Sequence, residues 1–164
     1  MRTIDAIEIE EYLDKLNEMP EGKAEGMVGE MSDSQSLIMV YLMAVENEVF
    51  SGPEREGFFY LGYSLWYIMQ SVNPAIPLIT EEEIEASEKN NFKMLDVFAD
   101  ETDEGITKLI EIIVENYNQP GLFGYVVESL MEEEDDDGNL LFNPDNSGIM
   151  LIYLKTIIDC LDKY

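Results

Sequence analysis

Phe58-Phe59-Tyr60-Leu61-Gly62-Tyr63-Ser64-Leu65-Trp66-Tyr67-Ile68-Met69 is the most apolar and aromatic stretch of the chain, and Ser51-Gly52-Pro53-Glu54 stands before it. The second segment is a helix start. Serine caps, proline fits the first turn, and a glutamate three residues after the serine closes a capping box. The pair therefore predicts a helix running to about residue 72, with the aromatic centre of the protein on it. Upstream, Leu37-Ile38-Met39-Val40-Tyr41-Leu42-Met43-Ala44-Val45 is apolar on every face, inside a stretch at 33–50. A buried strand competes here, but the Met, Leu and Ala content and the length favour a helix. Such a helix belongs in the core. These two helices are expected to form a buried hairpin around which the others pack.

Working outward, Asp5 and Glu8 make a second capping box, with Ile4 and Ile9 as its hydrophobic staple, for a helix over 5–19. Pro20, Gly22, Gly26 and Gly29 break that pattern, so 20–31 reads as a loop or a short frayed helix. Asn73-Pro74-Ala75-Ile76-Pro77 is an extended connector. Thr80 with Glu83, flanked by Ile79 and Ile84, is the clearest cap in the chain and starts a helix reaching 99. Further helices are expected over 103–117, 120–132 and 147–163. The fold class is thus all-α: a single compact multi-helix domain over 1–164, of about six to seven helices.

Composition narrows the chemistry. The chain has 36 acids against 9 bases, a formal charge of -27, and no histidine. Without histidine there is no Ser-His-Asp or Cys-His catalysis, and no zinc or di-iron site that uses imidazole. Arginine occurs only at Arg2 and Arg55, too few for binding phosphate-rich substrates without metal. The single cysteine, Cys160, excludes an internal disulfide. Set among Ile157, Ile158 and Leu161, it reads as a buried thiol. The longest apolar run is shorter than the roughly 20 residues a membrane span needs, and the first residues do not read as a signal peptide. A cytoplasmic location is the expectation. Charge of this sign repels nucleic acid and anionic membranes and attracts cations and basic proteins.

Two acidic clusters carry candidate chemistry. Glu132 to Asp137 are six successive acids before Gly138, placed where a helix C-terminus is already partially negative. Aligned on Gly138, Glu133-x-Asp135-x-Asp137-Gly138-Asn139-Leu140 resembles the first half of an EF-hand calcium loop. The resemblance implies Glu133, Asp135, Asp137 and the backbone carbonyl of Asn139 as calcium ligands. It covers only half the motif. Pro144 stands where a bidentate glutamate belongs, and 142–146 reads as loop in place of the exiting helix. The competing reading is a solvated acidic loop.

Glu81-Glu82-Glu83-Ile84-Glu85 is similar to the E-E-x-x-E of all-α nucleotide pyrophosphohydrolases. That likeness implies Glu82 and Glu85 as magnesium ligands on one helix face. The family's second motif, E-x-x-D on a following helix, is missing: Lys93-x-x-Asp96 does not fit, and Asp100-x-x-Asp103 straddles an expected break. Acids in a first turn also serve capping and the helix dipole.

The remaining features are distributed. Tyr60, Tyr63, Trp66, Tyr67, Met39, Met43 and Met69 could line a groove, and more simply fill a core. Acids are spread along the chain: ten in 81–104 against two lysines, and nine in 1–30 against three bases. Glutamate exceeds aspartate two to one, which fits poorly with halophilic adaptation. The functional expectation is an acidic helical module that neutralises or escorts a basic protein partner, of immunity, antitoxin, nucleic-acid-mimic or chaperone type. A magnesium-dependent hydrolase and a calcium-tuned structural module are the alternatives. The apolar excess on the last helix, from Ile149 to Leu161, leaves monomer and homodimer both open.

Overall fold

The computed structural model describes residues 1–44, 49–99, 108, 112–135 and 137–164. Among them seven helices follow in order: α1 (Ala6–Asn17), α2 (Glu21–Ser34), α3 (Ser36–Ala44), α4 (Gly52–Val72), α5 (Glu81–Ala99), α6 (Pro120–Glu132) and α7 (Pro144–Asp162). Residues 112–116 are also helical, and the rest of the helix expected over 103–117 lies outside the described residues, as do 45–48. No strand occurs among the described residues, only an isolated antiparallel bridge between Glu134 and Leu140. The fold is all-α. None of the described helices is long and apolar enough to cross a membrane.

Two of the three expected capping boxes close. At Asp5 only half forms: Asp5 accepts from the Glu8 N–H at 2.9 Å, while the Glu8 carboxylate pairs with Arg2. Thr80 and Glu83 bond reciprocally, N–H to Oε2 at 2.9 Å and N–H to Oγ1 at 3.3 Å. Ser51 and Glu54 do the same at the head of α4, at 2.8 and 3.4 Å. Glu54 does more than cap. Its other oxygen accepts from the Asn143 N–H and the Asn146 side chain, both at 3.0 Å, so one buried carboxylate pins the start of α4 to the start of α7.

The axis of the molecule is α7. Ten of its nineteen residues are buried, and it packs on α4, α5 and α6. Tyr153 is its hub, with the rings of Tyr41, Phe58 and Phe92 standing edge-on to it at 5.8, 6.4 and 5.8 Å. The apolar excess on this helix is therefore covered within the chain.

The expected hairpin is present as α3 and α4, but only its second arm is central. α3 fully buries Ile38 and Leu42, while Val40 is 59 % and Met43 62 % exposed. Its all-round apolar pattern marks a helix with one face in the core and another at the surface. The two arms touch closely at Gly62, where any Cβ would collide with the Leu42 side chain.

Where a loop or frayed helix was expected at 20–31, α2 is a regular helix. Gly22, Gly26 and Gly29 share one open side, and Met27, Val28 and Met31 the other, packed on the core with Met31 wholly buried. Each glycine costs about 1 kcal/mol against alanine. Burying Met31 returns about 1.5–3 kcal/mol, and the packing of Met27 and Val28 adds to it, so packing overrides local preference. The start of α7 also corrects the sequence reading: helix begins at Pro144, capped by Asn143, and not at 147.

Candidate functional site

The acidic segment after α6 is a closed hairpin turn. Asp135 N–H donates to Asn139 O at 2.8 Å and Leu141 N–H to Glu133 O at 2.8 Å. Gly138 takes the left-handed conformation, φ 77°, that the turn requires. Asp135 Oδ1 accepts from the N–H groups of Asn139 and Asp137, each at 2.9 Å. The Asn139 bond first, then Asp137's, hold its carboxyl below the usual range. So the Asn139 carbonyl and the Asp135 carboxylate, both expected on calcium, are engaged inside the turn. Glu133 instead faces a cleft beside Tyr60 and Tyr125. Asp136 lies outside the described residues. Among the described residues no three acids or cysteines are grouped to hold a metal ion. The exiting helix expected to be absent is present, as α7, but Pro144 still brings no side-chain oxygen.

Glu82 and Glu85 lie in the first turns of α5, both exposed. No second acidic pair joins them among the described residues; Asp100 and Asp103 are outside those residues. Glu85 has a different setting. It lines a groove of ≈ 300 Å³ between α3 and α5, with Leu37, Val40, Tyr41 and Ala44 on one wall and Glu81, Ile84, Glu85 and Glu88 on the other. Tyr41 donates its hydroxyl to Glu88 at 2.9 Å, and burial first, then this carboxylate, raise the tyrosine's pKa.

A second acidic cleft runs between α1 and α6. It consists of two adjoining hollows, ≈ 410 and ≈ 620 Å³, that share Leu13, Tyr125 and Glu128. Glu10, Glu132 and Glu133 complete its acidic wall, and Tyr60 its aromatic one. Tyr60 is held by donating to Asn17 Oδ1 at 2.6 Å. Burial pushes Tyr125 up to about 12, so it remains a neutral ring at physiological pH. Gly121 lets α1 approach: a Cβ there would lie 2.8 Å from Ile9 Cδ1 and 3.3 Å from the Ile4 carbonyl.

Among the described residues none of these three hollows has a lysine or arginine in its lining. A fourth, between α3 and α4, contains Arg55 beside Glu56, Phe58 and Phe59. Three bases elsewhere pair with the chain's own acids: Arg2 with Glu8 at 2.6 Å, Lys15 with Glu11 at 3.9 Å, Lys163 with Glu83 at 4.0 Å.

The most polar interior site has a structural role. Lys155 Nζ donates to Asp159 at 2.8 Å and Asn91 at 3.0 Å, and lies 4.5 Å from the centre of the Tyr117 ring. Tyr117 O–H donates to the other Asp159 oxygen at 2.6 Å, and Asn91 Nδ2 to Asp159 at 2.8 Å and Thr156 at 3.1 Å. This latch joins α5, α7 and the segment before α6. Sequence reading missed it. Its only local signal is Lys155 four residues before Asp159 in an otherwise apolar helix. Cys160 is buried as expected, and burial raises its pKa.

No known protein family matches the chain, and neither a curated protein nor a solved structure was found that resembles it.

Proposed function

We propose that the protein is an acidic, all-helical binding module that engages a basic protein and so neutralises or escorts it. The observation that carries this reading is the pairing of carboxylate walls with aromatic or aliphatic floors in three surface hollows, none lined by a base among the described residues. A lysine or arginine side chain entering such a hollow meets carboxylates for its charge and a tyrosine face for its cation–π attraction. Its stem covers the apolar floor. The surplus charge, 36 acids against 9 bases, extends the same preference across the surface. It speeds encounter with a cationic partner and disfavours nucleic acid.

The test is retention of basic proteins from a cell extract at low salt, followed by affinity measurement on a purified retained protein. Charge-reversal variants of equal net charge are compared: Glu85→Lys and Glu128→Lys in the hollows, Glu18→Lys and Asp33→Lys outside them. The hollow variants should lose about tenfold more affinity than the outer ones, and binding should weaken as salt rises past physiological strength. Equal losses at all four positions would reduce the charge to a means of staying in solution.

A further inference from the structure

The two walls of the α3/α5 groove have the same internal spacing. Leu37, Val40, Tyr41 and Ala44 stand at i, i+3, i+4 and i+7 of α3, and Glu81, Ile84, Glu85 and Glu88 at i, i+3, i+4 and i+7 of α5. Each set is a single stripe along its helix. Two stripes side by side, each about 10 Å long at 1.5 Å per residue, make the slot that a third helix fills in a bundle. The floor is apolar: Ile84 is buried, Leu37 half-buried, and Val40 is 59 % exposed.

We propose that this groove seats an amphipathic basic α-helix belonging to a partner protein. The inference rests on the reading that the partner is basic, and adds the shape of the segment and its place. An aliphatic stripe on the incoming helix would cover Leu37, Val40 and Ile84. Lysines or arginines along one edge, three and four residues apart, would meet Glu81, Glu85 and Glu88. The Glu88 carboxylate is already oriented by the Tyr41 hydroxyl, so part of the ordering cost of an ion pair there is met before binding.

Charge selects this occupant over the two others available. A second copy of the chain carries -27 as well and would bring acids to an acidic wall. The chain's own residues at 45–48, 100–107 and 109–111 contain seven acids and no base, so they supply no cation either.

The test uses a stapled helical peptide of about 14 residues, because short helices are marginal unaided. It carries leucines at the i, i+3, i+4, i+7 positions and lysines along one edge. A scrambled peptide of the same composition is its control, and affinity is read by fluorescence anisotropy at low and raised salt. The patterned peptide should bind at least about tenfold more tightly than the scrambled one. Val40→Glu and Glu85→Lys, both at exposed positions, should each weaken it about tenfold, while Glu128→Lys in the other cleft should change it less than about threefold. Helix content and melting of each variant are checked against the parent. Equal binding of both peptides, or equal effects of Glu85→Lys and Glu128→Lys, overturns the groove while leaving a basic partner in place. No salt-sensitive binding of either peptide overturns both.

Discussion

Replacing Lys155 by methionine tests the latch between α5 and α7. Methionine keeps much of the lysine's length and apolar stem, so packing changes little, but the ammonium beside Asp159 is gone. Breaking a buried pair by removing one partner costs about 3–5 kcal/mol. Asp159 keeps two donors, Tyr117 O–H at 2.6 Å and Asn91 Nδ2 at 2.8 Å. Its side chain is also 22 % exposed against 10 % for Lys155, so water screens part of the loss. The expected cost therefore sits at the lower end, about 3 kcal/mol. At about 2–4 °C per kcal/mol for a chain of this size, the melting point falls by about 6–12 °C. Urea unfolding followed by both circular dichroism and Trp66 fluorescence measures it, with coincident transitions as the check on two-state behaviour. Adding Asp159→Asn removes the stranded charge yet leaves an oxygen for Tyr117, and should restore about half of the stability. A loss below about 1 kcal/mol for Lys155→Met, or a double variant weaker than the single by a similar step, would refute the reasoning.

Other substitutions follow from sites already described. Burial raises the Glu54 pKa, but the Asn146 side chain and the Ser51 and Asn143 N–H groups outweigh it and lower the net value. A depressed folded pKa contributes stability above the unfolded value near 4.5, and loses it as pH falls through the folded one. Glu54→Gln should cost about 1–3 kcal/mol at neutral pH, with the gap to the parent narrowing as urea melts are taken from pH 5 downward. Gly62→Ala should cost about 1–3 kcal/mol by pushing Leu42 from its place, read as a lower urea midpoint with unchanged slope. The Tyr63 hydroxyl is buried with no hydrogen-bond partner among the described residues. Tyr63→Phe should be neutral or stabilising by about 1 kcal/mol, and a loss of that size would show that the hydroxyl is satisfied.

The local signals in the sequence were strong where a cap coincided with an apolar period. Asp5, Ser51 and Thr80 each stand one residue before the helix they were expected to start. Pattern served less well where two physical causes compete. The glycines of α2 argue against helix one residue at a time, and only the packing of Met27, Val28 and Met31 on the core, which depends on distant partners, reverses them. Asn143 before Pro144 is a sound cap signal that was hidden by the loop-like composition around it. The candidate sites were legible as acid clusters and not as sites. Whether Glu133 faces Asp137 or Tyr125 depends on how the hairpin closes, and Glu85's neighbour Val40 is 45 positions away in the chain. The Lys155 latch joins residues from three segments, so no window along the sequence contains it.

Because α7 follows every helix it joins, the order of synthesis matters. α4 is finished at residue 72, whereas its principal partner is complete only at 162. At about 5–20 residues per second, the aromatic side of α4 waits about 5–18 s for its cover. Over that interval the nascent chain goes from 14 of its 36 carboxylates at residue 72 to 24 by residue 104. Like charge on neighbouring nascent chains then opposes their clumping before the final helix arrives, a use for the acids that ends when folding does.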